Sequence, residues 1–256
     1  MQLYVNGTLS AKTCSALYWW VSGFHDGDVI SKLGMRLGRA SGHYQHHLGA
    51  ALGLREVIDK LYRIQVPVHR RHDLSRCTHK MPTVPGHEYL NEEFLKDASI
   101  SVKLREEIAI GGLPPAYFDH PVTKSGGAVI PFAIYMDGVA YSLTDTVLGV
   151  WFVNFITEVK HLSVVLRKRL GCRCGYRTWC SLFPISEFLH WCVASMAAGV
   201  YPGMQHDTKE WNANSDSLQS DRDGTPLKMK GCCLYIKGDW SEYCSTLGFP
   251  AWNSPM

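Results

Sequence analysis

The sequence predicts a mixed α/β protein in which a helical region precedes a core of strand, strand, strand, helix and strand. Three observations lead there. Before residue 111 apolar residues recur at helical spacing. After residue 127 short runs rich in β-branched and aromatic residues take over. Between them, from Gly111 to Gly127, glycine and proline are concentrated. The expected organisation is therefore a helical N-terminal region over 1–110, a linker over 111–127 and a second domain over 128–256.

Ala11 to Ser22 carries Leu17, Trp20 and Val21 on a shared helical face. "HYQHHLGAALGLREVIDKLYRI" repeats the pattern with Leu48, Ala51, Leu52 and Val57 to Leu61, so the two helices are expected to pack together. Pro67 ends the second helix, and "PVHRRHDLSRCTHKMPTVPGH" reads as an irregular basic segment. A third helix is expected over Asn91 to Ile110, closed by "GGLPP". Beyond the linker, "PFAIYMDGVAYS", "VLGVWFVNFI" and "HLSVVLRKR" have the composition and length of strands. "FPISEFLHWCVASMAAG" then places Ile185, Phe188, Leu189, Cys192 and Met196 on one helical stripe, with Pro184 near its start and Gly199 near its end. A polar, mobile stretch is expected from Gln205 to Lys230, and "CCLYIKGDWSEY" supplies a last strand that ends at an acid.

With 256 residues, 46% apolar and 19% charged, the chain has a globular balance and room for two units. A formal charge of +3 does not by itself mark a nucleic-acid binder. No basic start leads into a sustained apolar core, and no apolar run approaches the ~20 residues of a membrane helix, so a soluble intracellular protein with no membrane partner is expected. Nine cysteines in that setting point to reduced thiols or metal ligands rather than a disulfide framework. The abrupt end at "FPAWNSPM" reads like an excerpt, so the second domain is expected to be truncated at its C-terminus.

The strand order is the one an RNase H-like core would show: three antiparallel strands, a helical crossover, and a fourth strand returning parallel beside the first. Both strands of that parallel pair carry an acid, Asp137 in the first and Asp239 at the end of the fourth. If the strands are neighbours, the carboxylates converge. Magnesium takes oxygen ligands at about 2.0–2.1 Å, and a pair of such ions can stabilise the attacking and leaving oxygens of a phosphodiester. Two plainer readings stand beside this one. Asp137-Gly138 between apolar runs is equally the signature of a two-residue hairpin turn, and Asp239-x-x-Glu242 resembles an N-terminal helix cap.

On these residues, from Ala128 to Met256, the layout resembles the transposase core of CACTA-type and Plavaka-type DNA transposons. There a strand ending in Asp-Gly or a similar pair provides the first acid, and a later Gly-Asp followed by a short helix provides the second. "SGHYQHHL", "VPVHRRHDL" and "KGDWSEYCSTLGFPAW" also resemble an uncharacterised multi-copy group of eukaryotic proteins, which brings no activity with it. The transposase resemblance implies Asp137 and Asp239 as catalytic acids, magnesium as cofactor, DNA as partner and a nuclear location. The third acid of that family, downstream of a Cys-x-x-Cys element, has no counterpart before Met256, so the chain as given is expected to be inactive alone.

Cys172, Cys174 and Cys180 surround a glycine in "CRCGYRTWC", expected to be a loop, and could form most of a tetrahedral zinc site with His161, His190 or Cys192 as fourth ligand. Reduced thiols packed in a loop are the alternative. His43, His46 and His47 share a helical face, but no acid or cysteine stands beside them in sequence to complete a metal site. Arg70, Arg71, Arg76 and Lys80, together with Arg167, Lys168 and Arg169, could contact phosphates without sequence preference, or could simply be solvated surface. The function expected is transposase-derived DNA strand cleavage and transfer. The alternatives are a non-catalytic nucleic-acid-binding or interaction module, and a zinc-stabilised α/β scaffold.

Overall fold

The structure is a computed structural model that describes residues 11–22, 44–53, 61–70, 74–142, 145–174, 178–212, 216–239 and 243–244. Its architecture is mixed α+β, with a two-stranded and a four-stranded sheet. Contacts divide the chain into two compact units, Met1–Leu61 and Tyr62–Met256.

In the first unit, α1 (Ala11–Ser22) and α2 (Tyr44–Ala51) pack around buried Cys14 and Leu48, with Tyr18 and Leu52 against them. Leu17 of the expected stripe lies half exposed, and the side chains of Trp20 and Val21 lie outside the described residues. Helix α2 is also shorter than expected: Gly53 follows it at positive φ, and Val57 to Lys60 lie outside the described residues. His43 lies outside them too, as does the side chain of His46.

The second unit opens with a hairpin where the sequence suggested a helix end and an irregular segment. Strand β1 (Tyr62–His69) pairs antiparallel with β2 (Arg76–Thr83). Tyr62, Ile64, Val66 and Val68 alternate inward at the period of two that a half-buried strand requires. Pro67 is accommodated because, among the described residues, β1 has β2 on one side only, apart from a single bridge from Val68 to Gly171.

The expected third helix is two: α3 (Gly86–Lys96) and α4 (Ile100–Ile110). They are separated where Asp97 Oδ1 accepts the Ser99 N–H and draws the chain out of helical conformation. Residues 111–127 do not separate two bodies. Leu113 and Tyr117, the latter on the short helix α5 (Pro115–Asp119), are buried in the same core as Leu90, Ile100 and Phe132, and the Tyr117 hydroxyl donates to the Val129 carbonyl.

Strands β3 (Val129–Ser142), β4 (Asp145–Asn154), β5 (Lys160–Arg167) and β6 (Lys230–Gly238) form the larger sheet in the order β5-β4-β3-β6. The first three are antiparallel in succession, and β6 returns parallel to β3. One face of the sheet, carrying Phe132, Ile134, Phe152, Val150 and Val164, is buried beneath α3 and the long helix α6 (Trp179–Ala198). Gly86 of α3 lies so close to the Phe152 ring that an added Cβ would stand 2.5 Å from it. Helix α6 starts one turn earlier than expected, so Cys180 belongs to its first turn, and Pro184 leaves the Cys180 carbonyl without its helical partner.

The stretch from Gln205 to Lys230, expected to be mobile, is tied down along its described part. Trp211 Nε1 donates to the Pro202 carbonyl, Asn91 Oδ1 accepts the Lys228 N–H, and Leu227 and Met229 are buried. The short helix α7 (Ser217–Ser220) lies within it.

His87 on α3 is 1% exposed, packed edge-on against the Trp191 and Tyr201 rings, and its Nδ1 has no hydrogen-bond partner. Burial, with a smaller contribution from the Arg222 charge, holds its pKa down to about 3 from an ordinary 6.5. The unfolded chain therefore binds this proton more readily than the folded one. Stability is intact above pH 6.5 and falls as the pH drops toward 3, by about 2 kcal/mol near pH 5 from this group alone. Urea denaturation at neutral and mildly acid pH should show that loss, and His87→Gln should flatten it.

Candidate functional site

Strand β3 runs straight through Asp137 and Gly138, which pair with Gly149 and Leu148 of β4. There is no reversal at Asp137, so the hairpin reading fails. Tyr135 and Asp137 are two residues apart and share the sheet face opposite α6, and the Tyr135 hydroxyl donates to Asp137 Oδ2 at 3.1 Å.

Asp239 reaches the same place through an irregularity in β6. From Val129–Lys230 to Phe132–Cys233 the parallel register is regular, but Ala133 then pairs with Tyr235, so Leu234 is an extra residue. Such a bulge shifts the parity of everything after it. Lys237 then stands beside Tyr135 and Gly238, the last residue of β6, beside Met136; continued by one residue, the same register would set Asp239 beside Asp137 on the same face. In a regular ladder Asp239 would neighbour Gly138 and face the core.

The two charges act on a common neighbour. The Tyr135 phenol is held above its ordinary pKa first by its hydrogen bond to Asp137, then by partial burial and by the negative charges of Asp137 and Asp239. Asp239 is exposed and Asp137 half-buried. The Tyr243 N–H donates to the Asp239 carbonyl at 3.0 Å and the Tyr243 hydroxyl to the Ile236 carbonyl at 2.7 Å, which fixes the backbone just after β6. Glu242, the other half of the expected cap, lies outside the described residues. Beside Asp137, Gly149 is needed for packing: the Trp151 indole lies where its Cβ would be, 2.1 Å away.

Cys172, Cys174 and Cys180 come together as expected, with all three Sγ atoms within 4.8 Å of one another and Cys174 Sγ 3.0 Å from Cys180 Sγ. Among the described residues this is the one group of three or more metal-ligating side chains at such spacing, and it could hold a metal ion. Cys172 is buried and its N–H donates to Ser181 Oγ at 2.8 Å, while Ser181 donates in turn to the Pro67 carbonyl. The neighbouring thiols push Cys180 up to about 11, the hydrogen bond with Cys174 first among the causes. A bound cation would reverse that logic by favouring thiolates.

None of the three expected fourth ligands joins the group. His161 lies 2.7 Å from Glu93, Cys192 is sealed in the main core, and His190 is exposed on α6. His69 reaches the loop instead: its Nδ1 accepts the Arg173 N–H at 3.0 Å.

The basic segments converge in part. The Val68–Gly171 bridge and the His69–Arg173 bond bring the hairpin end, with exposed Arg70 and Arg76, against the 3-10 turn that carries Lys168 and Arg169 after Arg167. Lys80 lies further along β2, exposed, and Arg71 is outside the described residues.

A second cluster was not foreseen. Glu93 on α3 accepts hydrogen bonds from Asn154 Nδ2 at 3.2 Å and from Thr157 Oγ1 at 2.5 Å, and pairs with His161 Nε2 at 2.7 Å, in the wall of a cleft of about 600 Å³. These groups stand more than sixty residues apart in sequence, and no local pattern ties them together.

Replacing the acceptor of the Tyr135 hydroxyl should release its proton more easily. In Asp137→Asn, a spectrophotometric titration of the phenols, read against Tyr135→Phe, is expected to show the Tyr135 pKa moving down. Compared with protein-family models, curated proteins and solved structures, the chain matches none.

Proposed function

We propose that the second unit is an RNase H-like domain of transposase type, in which Asp137 and Asp239 hold magnesium against a DNA phosphodiester. The observation that supports this most is the parallel pairing of β3 with β6, whose shifted register, continued past Gly238, would bring Asp239 to the side of Asp137; the charges of both acids act on Tyr135. Paired acids on adjacent rigid strands suit a hard divalent ion that prefers oxygen ligands. Bound there, the ion would supply charge neutralisation at the attacking and leaving oxygens.

The carboxylates would hold the ion at the end of the sheet, where it would meet the scissile phosphate. Water would be the first nucleophile: its oxygen bonds to phosphorus, one of its protons passes to solvent, and the bond to the bridging 3′ oxygen breaks, that oxygen taking a proton from solvent to leave a 3′-hydroxyl opposite a 5′-phosphate. That hydroxyl would be the nucleophile of the transfer step. Arg70, Arg71, Arg76, Lys80, Arg167, Lys168 and Arg169 are the groups proposed to hold the flanking phosphates, and a nuclear location goes with the reading.

The three thiols favour structural zinc as a companion feature, clamping the loop after β5 to the first turn of α6. A non-catalytic DNA-binding module is the second reading, favoured by the convergence of the basic hairpin end with the turn after β5.

Mn²⁺ titration followed by electron paramagnetic resonance tests the first reading. The intact chain should bind the ion, and Asp137→Asn and Asp239→Asn should each abolish binding while retaining native circular dichroism; variants that bind like the parent overturn it. DNA retention that is salt-sensitive and survives Asp137→Ala, without any metal effect, selects the second. Elemental analysis of the chain purified under reducing conditions should find zinc near one per molecule, lost in Cys180→Ser.

A further inference from the structure

The face of the larger sheet that carries Asp137 also carries a set of rings and ammonium groups that extends beyond the two acids. Tyr135 and Trp151, on neighbouring strands, have centroids 5.7 Å apart, and Phe155 and Tyr235 stand 6.0 Å apart on the same face. Tyr235 is 39% exposed, and Val139, Leu162 and Val165 on this face are between 41 and 44% exposed. The surface is open to solvent there. Lys160 Nζ lies 5.6 Å from the Tyr135 centroid, and Lys237 Nζ lies 5.1 Å from Phe155 and 5.4 Å from Tyr235.

We infer that this face is a binding platform for an unpaired nucleic-acid strand, whose bases stack on the rings and whose phosphates meet Lys160 and Lys237. Rings on an exposed sheet face offer π-surfaces to any base, and ammonium groups beside those rings are placed to meet the phosphates of a stacked strand. The pairing of each ammonium with a ring selects the occupant: an unpaired strand, which offers a base to the ring and a phosphate to the lysine, suits Lys160 and Lys237 better than an apolar peptide or a second copy of the chain. A duplex keeps the faces of its bases stacked inside and offers this surface only phosphates.

The inference rests on the proposed function for its direction alone. A strand laid across the rings would run toward Asp137 and Asp239, so the substrate class would be a single-stranded or locally opened end rather than intact duplex.

The test is fluorescence anisotropy with labelled oligo-dT of about 12 nucleotides and a hairpin duplex of equal length, in EDTA and low salt. The intact chain is expected to prefer oligo-dT over the duplex. Tyr235→Ala, and the double variant Lys160→Ala with Lys237→Ala, should each weaken oligo-dT binding about tenfold, and Tyr235→Phe should restore it. A preference for duplex, or oligo-dT binding by Tyr235→Ala equal to that of the parent, overturns the platform. If Tyr235→Ala does not fold, Lys237→Gln serves in its place, with unchanged affinity counting against the proposal. Because EDTA removes any bound cation, this result is independent of Mn²⁺ binding at the acids: oligo-dT binding without Mn²⁺ binding would leave the platform and remove the two-acid site, and the reverse would do the opposite.

Discussion

One inserted residue governs the arrangement on which the site depends. Leu234 interrupts the parallel ladder between β3 and β6, and every side chain of β6 beyond it changes face. Its own side chain packs against the main core, so hydrophobic burial holds the irregularity in place. The same shift turns Lys237 to the side of Tyr135 and, continued one residue past the strand, would carry Asp239 to Asp137. A comparable adjustment occurs across the sheet, where Ser163 is the extra residue of β5. Its hydroxyl donates to the Val84 carbonyl and its own carbonyl accepts the Val84 N–H, so the irregular strand is stitched to the end of β2. Both strands flanking the β3–β4 pair are thus adjusted by a single residue, and β3 and β4 are regular where they carry Asp137 and its neighbours.

What holds this frame is the layer on the opposite face. Helices α3 and α6 cover Phe132, Phe152 and Val150, and Tyr62 of β1 stacks on Phe188 and Trp191 of α6. Burial raises the Tyr62 phenol far above its ordinary range, and its hydroxyl lies 2.7 Å from His206 Nδ1. The hairpin is therefore part of the core that supports the sheet, and the Ser181 bonds to Pro67 and Cys172 join it to the cysteine cluster. Acids and thiols occupy different parts of one packed body.

Much of the sheet could be read from local chemistry. Six apolar residues leading into Asp137, with apolar residues resuming directly after Gly138, describe a strand buried on one face and partly covered on the other, and β3 is that strand. The stripe from Ile185 to Met196 identified α6 because its inward positions are apolar apart from Ser195. The β1–β2 hairpin was harder to see: Pro67 and the surrounding basic residues obscured the alternation from Tyr62 to Val68. The break at Asp97 depends on one side-chain bond to a backbone N–H, and the early start of α6 on how Pro184 is tolerated, neither of which periodicity records. The facing of Asp239 was the least legible feature, since nothing in "KGCCLYIKGD" announces that Leu234 is the residue left over. The Glu93 network depends on contacts between segments far apart in the chain.

Strand β6 lies at the border of its sheet, and among the described residues its far side has no strand partner. A row of unmet backbone groups there is an invitation to intermolecular pairing and fibril growth. Here Lys230 and Lys237 place a charge near each end, the kink at Leu234 breaks the straight template a foreign chain would need, and the Tyr243 phenol already occupies the Ile236 carbonyl. The irregularity at Leu234 thus also works against edge-to-edge pairing with another chain.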